Sequence, residues 1–142
     1  YGAMGENLCV DGLDESCVYV GDIHKVGSLV LQVSQPRKPC FKLSKRWGNE
    51  NMATHIFETG LTGWYYRVLT PGSCKAGDGI EIIENDPVHM SILEINRLFY
   101  APSENLNLLE KFNALTTLTN GWHDDMKRRI EGIYSTEFMR TL

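Results

Sequence analysis

The chain has 142 residues and a mass of 16.1 kDa, enough for one domain with at most a small appendage. Its 42% hydrophobic and 23% charged residues exclude wholesale disorder, collagen and a disulfide-dense mini-protein. A formal net charge of −4 argues against a general binder of nucleic acid or of anionic membrane, while leaving room for a local basic site.

The chain starts at Tyr1, and the run Tyr1 to Leu8 is Gly-rich, without the basic and apolar segments of a signal peptide. A start at Tyr rather than Met suggests part of a longer chain. No uncharged apolar run approaches the roughly 20 residues that span a bilayer. The cysteines, at 9, 17, 40 and 74, form no C-x-x-C pair. That spacing disfavours a structural zinc site or a secreted disulfide framework, and the expected compartment is the reducing cytoplasm.

Up to Asp86-Pro87, turn residues punctuate short β-rich runs. Cys17 to Val20 reads as a strand that Gly21-Asp22 ends. Ser28 to Ser34 is apolar with partial alternation, and Gly63 to Leu69 and Gly79 to Glu84 are further strands. Gly21-Asp22 and Gly77-Asp78 read as one turn device used twice, because Gly supplies positive φ and Asp bonds its own downstream backbone. Many short strands with Gly turns suggest a barrel or a sandwich. Residues 50–58 read as a short helix.

Beyond Pro87 the period becomes helical. Ser91 and Glu94 fit a capping box, after which Ile92, Ile95, Leu98 and Phe99 share one face until Pro102 stops the helix. A second helix is predicted from Leu106 to Ala114 and a third from Leu118 to Ile130, with Trp122, Met126 and Ile130 at four-residue steps. Three helices this short are marginal alone, so they are expected to pack on each other or on the β part. The division is therefore 1–86, mostly β, and 87–142, a three-helix unit.

The chemistry concentrates in residues 34–46. Arg37, Lys38, Lys42, Lys45 and Arg46 place five cations in ten residues without an acid, a +5 window in a −4 chain. The ordinary fate of such a run is a solvated loop; the sharper reading is a site for phosphate or a charged cofactor. Cys40 lies inside the window, behind Pro39. Neighbouring cations favour thiolate over thiol, which raises nucleophilicity and metal affinity, and Pro36 and Pro39 stiffen the backbone around it. Cys9, Cys17 and Cys74 lack such surroundings and read as inert. His24, His55, His89 and His123 form no metal-binding pattern, and Trp122 reads as helix packing rather than a cofactor box.

Four segments, in order and well separated, resemble the MOSC (molybdenum cofactor sulfurase C-terminal) domain family. They are Gly5-Glu6-Asn7-Leu8, Val20-Gly21-Asp22, Gln35-Pro36-Arg37-Lys38-Pro39-Cys40 and Thr59-Gly60-Leu61-Thr62-Gly63-Trp64-Tyr65. Residues 88–131, with Asn96-Arg97-Leu98 and Gly121-Trp122, resemble the three-helix (3-alpha) extension of the YiiM-type branch.

The resemblance implies a mostly antiparallel MOSC-type β-barrel, like the pyruvate kinase barrel domain, with its N-terminal part absent here and a helical extension behind it. It implies molybdenum cofactor, an anionic pterin dithiolene with a phosphate, and two-electron reduction of N-hydroxylated compounds, N-hydroxylated nucleobases included. Electrons would come from a flavin or iron–sulfur partner protein. Cys40 matches the position whose thiolate ligates molybdenum, a soft donor beside dithiolene sulfur. Arg37 would anchor pterin or phosphate, Gln35 and Ser34 would hydrogen-bond the pterin edge, and Asn7 would bind cofactor or cap its turn. Glu6 would donate a proton or hold Arg37, with the structural role favoured. Gly63-Trp64-Tyr65 would line the pocket or fill core, and His55 would shuttle protons or lie on the surface. A sulfur carrier with a Cys40 persulfide, and a non-catalytic module whose helical tail binds another protein, remain the alternatives.

Overall fold

The computed structural model describes residues 2–137. Four strands form one antiparallel sheet: β1 (Ile23–Val26), β2 (Leu29–Pro36), β3 (Trp64–Thr70) and β4 (Ile80–Glu84), in the order β3-β2-β1-β4. Two helices, α1 (Phe41–Trp47) and α2 (Met52–Thr59), intervene between β2 and β3. Behind β4 come α3 (Ile92–Tyr100), two 3-10 turns, α4 (Leu109–Asn113) and α5 (Asn120–Ile130).

The strands expected at 28–34, 63–69 and 79–84 are found as β2, β3 and β4, and the helix expected at 50–58 as α2. Helix α3 begins at the predicted cap. The Ser91 hydroxyl accepts from Glu94 N–H, and the Glu94 carboxylate accepts from Ser91 N–H. Residues 106–114 are a 3-10 turn running into α4, and the predicted 118–130 helix is α5, from 120.

Three expectations need correction. The described strands do not close into a barrel: β3 and β4 each pair on one side only, leaving the sheet open. Their apolar side chains show the consequence, with Val68 55% and Ile83 48% exposed. Residues 17–20 are not a strand of that sheet. They run beside the start of α3, with Val20 N–H donating to Met90 O and Ile92 N–H to Val18 O, and only Tyr19 and Ser91 form a bridge. The strand lies beyond Gly21-Asp22, as β1, joined to β2 by the two-residue turn Gly27-Ser28. Gly21 itself cannot be replaced, since its φ is 96° and a Cβ there would stand 2.1 Å from the Asp86 carboxylate. Finally, residues 41–47, read as a basic loop, form α1.

One core unites sheet and helices. Val18, Val20, Val33, Ala53 and Phe57 pack with Met90, Ile92, Ile95, Leu98 and Phe99, and these with Phe112, Leu115, Leu118, Trp122 and Met126. At its margin sits a polar pair. Asp22 and His24 are fully buried, and the second carboxylate oxygen of Asp22 and Nε2 of His24 have no hydrogen-bond partner among the described residues. Asp22 Oδ1 accepts from Asp86 N–H, and His24 Nδ1 lies 2.8 Å from the Tyr66 hydroxyl. Burial pushes the Asp22 carboxyl up and the His24 imidazole down, the latter partly offset by the Asp22 charge.

The His24 shift predicts acid sensitivity. The unfolded imidazole takes up a proton near pH 6.5, and the folded one only at lower pH. Between those values the unfolded state holds the extra proton, so stability falls as pH falls, with a limiting slope of about 1.4 kcal/mol per pH unit. Asp22, whose folded carboxyl titrates above its unfolded value of 3.8, contributes with the opposite sign and is common to both proteins compared. Urea unfolding between pH 7 and pH 5 is expected to show this loss in the native chain and a flatter profile in His24→Phe. Parallel profiles would contradict the assignment.

Candidate functional site around Cys40

Strand β2 delivers the chain to the site. Ser34 is buried and its hydroxyl donates to Tyr65 O at 3.0 Å. Gln35 Oε1 accepts from the Thr119 hydroxyl at 2.7 Å. Arg37 N–H then donates to Gly63 O at 3.0 Å, extending the β2–β3 register past Pro36. Pro39 is buried, and Cys40 follows as the N-cap of α1 with an extended backbone, φ −142°. The Cys40 thiol is free, half-buried, and makes no side-chain capping bond.

The five cations divide. The Arg37 guanidinium donates to the Met4 carbonyl, and the Lys38 ammonium pairs with Asp125 of α5. Lys42, Lys45 and Arg46 are exposed on α1, and none of them has an acidic partner among the described residues. Lys45 and Arg46 occupy the last turn of α1, where they also complement its dipole. Free positive charge is thus concentrated on α1, directly after Cys40, rather than over the whole 37–46 window.

The N-terminal segment is tied to the same place. The Glu6 carboxylate accepts from the N–H groups of Gly2 and Met4, closing a turn that offers Met4 O to Arg37. Trp47 Nε1–H donates to Ala3 O at 2.7 Å. Hydrogen bonds from Glu6's own backbone N–H and from Gly2 and Met4 hold its carboxyl below the usual range. Glu6 is therefore ionised at neutral pH and organises the turn that holds Arg37. Asn7 lies just beyond this turn, exposed, and its side chain makes no hydrogen bond among the described residues.

Of the remaining candidates, Trp64 is partly buried against the core and Tyr65 is exposed. His55 lies exposed on α2. His123 contacts Leu115 O, and His89 stacks on Tyr19 with centroids 3.6 Å apart. The structure thus brings Ser34, Gln35, Arg37 and Cys40 onto one β2-to-α1 passage.

Sequence reasoning missed the back of that passage. The Lys38 ammonium lies 4.4 Å from the Trp122 ring centroid, 5.4 Å from Phe99 and 5.8 Å from Tyr134. A narrow crevice of about 10 Å³ is lined by Arg37, Lys38 and Pro39 together with Phe57, Thr62, Asn96, Phe99 and Trp122. The only sequence signal was the Trp122 stripe, which carries no information about a lysine 84 positions away. The Tyr134 phenol is pushed up to about 12, by burial first and then by the Asp125 charge, so it stays neutral beside the ammonium. A larger groove of about 370 Å³ between the ends of α2 and α3, lined by Glu58, Gly60, Arg97 and Tyr100 among others, does not include Cys40. No helix among the described residues is long and apolar enough to cross a membrane.

Comparison with known proteins places this arrangement. The family model described as MOSC domain matches residues 1–81. YflK of Bacillus subtilis, an uncharacterised protein, is 35% identical over 135 residues, covering 95% of this chain and 61% of YflK. A protein of Gibberella moniliformis named "Reductase" is 36% identical over 136 residues, covering 95% of this chain and 24% of that protein. The crystal structure of YiiM from Geobacillus stearothermophilus superposes with a TM-score of 0.84 at 33% identity, covering 91% of this chain and 66% of that one. The chain thus spans less than two thirds of the length of these curated relatives. With the family match and the fold in agreement, the chain belongs to the MOSC domain family, in its YiiM-like branch.

Proposed function

We propose that this chain is the Cys40-bearing part of a molybdenum-cofactor-dependent oxidoreductase that reduces N-hydroxylated compounds, N-hydroxylated nucleobases among them, in the cytoplasm. The observation that carries the reading is a free, half-buried thiol at the head of α1 with three exposed cations on the same helix that have no acidic partner among the described residues. That donor set fits the group in question. A thiolate is a soft ligand suited to molybdenum beside dithiolene sulfur, and the cations offset the negative charge of a phosphate-bearing pterin. The Gibberella relative's name, "Reductase", supports the same class of reaction.

When bound, the cofactor supplies the two-electron redox change, and the chain's residues hold and orient it. Cys40 Sγ is the metal ligand. Lys42, Lys45 and Arg46 attract the anionic groups, and the Arg37 guanidinium, one arm fixed on Met4 O, has N–H donors left for pterin or phosphate. Gln35 keeps its amide N–H₂ and Ser34 its hydroxyl oxygen for the pterin edge, while Asn7 offers an exposed amide. Converting N–OH to N–H and water takes two electrons and two protons, so a flavin or iron–sulfur donor protein is the implied partner.

Metal and pterin analysis tests the reading. The full-length protein, purified from a host that makes the cofactor, is expected to carry molybdenum and to release a fluorescent pterin on denaturation. Protein free of both, but bearing cyanide-labile sulfur on Cys40, would replace this reading with sulfur transfer, which the same half-buried thiol would serve.

A further inference from the structure

We propose that helix α5 positions the Cys40 loop, with Lys38 as the pin: its ammonium is clasped by Asp125 and by the rings of Trp122, Phe99 and Tyr134. The functional weight of this inference rests on Cys40 being the reactive centre. Lys38 stands two residues before Cys40, and Asp125 and Trp122 lie on successive turns of α5. The ammonium and carboxylate side chains are 25% and 26% exposed, so the pair is largely withdrawn from solvent, and three aromatic faces lie within 6 Å of the cation.

A second tie is independent of charge: the Thr119 hydroxyl, at the N-cap of α5, donates to Gln35 at the end of β2. The two ties flank the segment 36–37. Pro36 and Pro39 remove two amide donors from the segment and limit its backbone freedom. Arg37, Lys38 and Pro39 line a small crevice together with Phe57, Thr62 and Asn96. The approach to Cys40 is therefore held by α5 at Gln35 and at Lys38, two residues before the thiol, and Lys38 is a positioning residue rather than an anion ligand. Its neighbours Lys42, Lys45 and Arg46 stay exposed, so the cations of the window have two separate duties.

Two substitutions test the pin in the whole chain, because they change charge in opposite senses. Lys38→Met keeps the stem and leaves Asp125 beside Arg128, 3.8 Å away. Asp125→Asn keeps the shape and removes the carboxylate charge. Each is expected to speed hydrogen exchange of the amides within 37–41 (those of Arg37, which donates to Gly63 O, and of Lys38, Cys40 and Phe41) by about fivefold or more, with the β1–β2 amides unchanged. Each is also expected to shift the alkylation rate of Cys40, read by peptide mapping, in the same direction, with Asp125→Glu restoring much of the native behaviour. Exchange of 37–41 within about twofold of native in both variants would overturn the proposal. So would alkylation rates moving in opposite directions with unchanged exchange, which would mark a plain charge effect. These readouts need no cofactor. A catalytically dispensable Cys40 would leave the pin standing, and unchanged exchange would leave the role of Cys40 standing.

Discussion

With Cys40 as the proposed molybdenum ligand, replacing it by Ser in the full-length protein is expected to lower the proposed reduction of N-hydroxylated bases by more than about 100-fold, because a change of metal ligand should exceed the 10- to 100-fold typical of residues that only support ligands. The hydroxyl is a harder donor than the thiolate and loses the match to molybdenum. The fold should not suffer. Cys40 is half-buried and occupies the N-cap of α1 without a side-chain bond. Serine is among the preferred N-cap residues, so its hydroxyl can accept from the first turn and hold stability level or raise it by up to about 1 kcal/mol. Loss of turnover with an unchanged or higher unfolding midpoint would therefore report on chemistry alone. Retained turnover in a purified assay with reductant would remove Cys40 from the reaction. Molybdenum content of the same variant, measured in parallel, is expected to fall with the activity.

Truncating Phe99 to Ala is expected to destabilise the protein by about 3–5 kcal/mol, a large part of the 5–15 kcal/mol that holds a typical domain. Phe99 is 3% exposed on α3. Its ring meets Phe57 edge-on at 5.9 Å, Trp122 at 5.1 Å and Tyr134 at 5.0 Å, and it underlies Lys38. The cost combines lost apolar transfer, lost edge-to-face contacts and a cavity that three rings cannot easily collapse. Phe99→Leu, which keeps most of the volume, is expected to cost clearly less. Urea denaturation measures both, and a loss below about 1 kcal/mol for Phe99→Ala would show that the aromatic cluster is dispensable.

The parts legible in the sequence are those whose information is local. The capping box at Ser91 and Glu94 needs only residues three apart, and it is found as read. Partial alternation over 28–34 and the β-branched and aromatic run 63–69 declare strands, found as β2 and β3, because side-chain direction repeats every two residues. Helix α1 escaped notice because Pro36 and Pro39 mark a loop and the charges behind them mask Leu43, its one buried apolar side chain. Strand β1 escaped because its four residues, Ile-His-Lys-Val, alternate only if a histidine is counted as buried, and His24 is buried in the sheet, against Tyr66 of β3.

The candidate site divides on the same line. Cys40 stands out from its immediate neighbours alone: two prolines and a run of cations near one thiol are visible within ten positions. The sequence by itself determined the residue types, the cap of α3, three of the four strands and the basic window around Cys40. The tertiary structure decided which of those cations remain available, since Lys38 meets Asp125 across 87 positions and Arg37 meets Met4 across 33. It also decided that the sheet stays open among the described strands and that one core joins strands to helices. The physical reason is range. Propensity, capping and alternation act over a few residues, whereas charge pairing and burial depend on which distant segments the fold brings together, and a single sequence does not encode those partners in any local pattern.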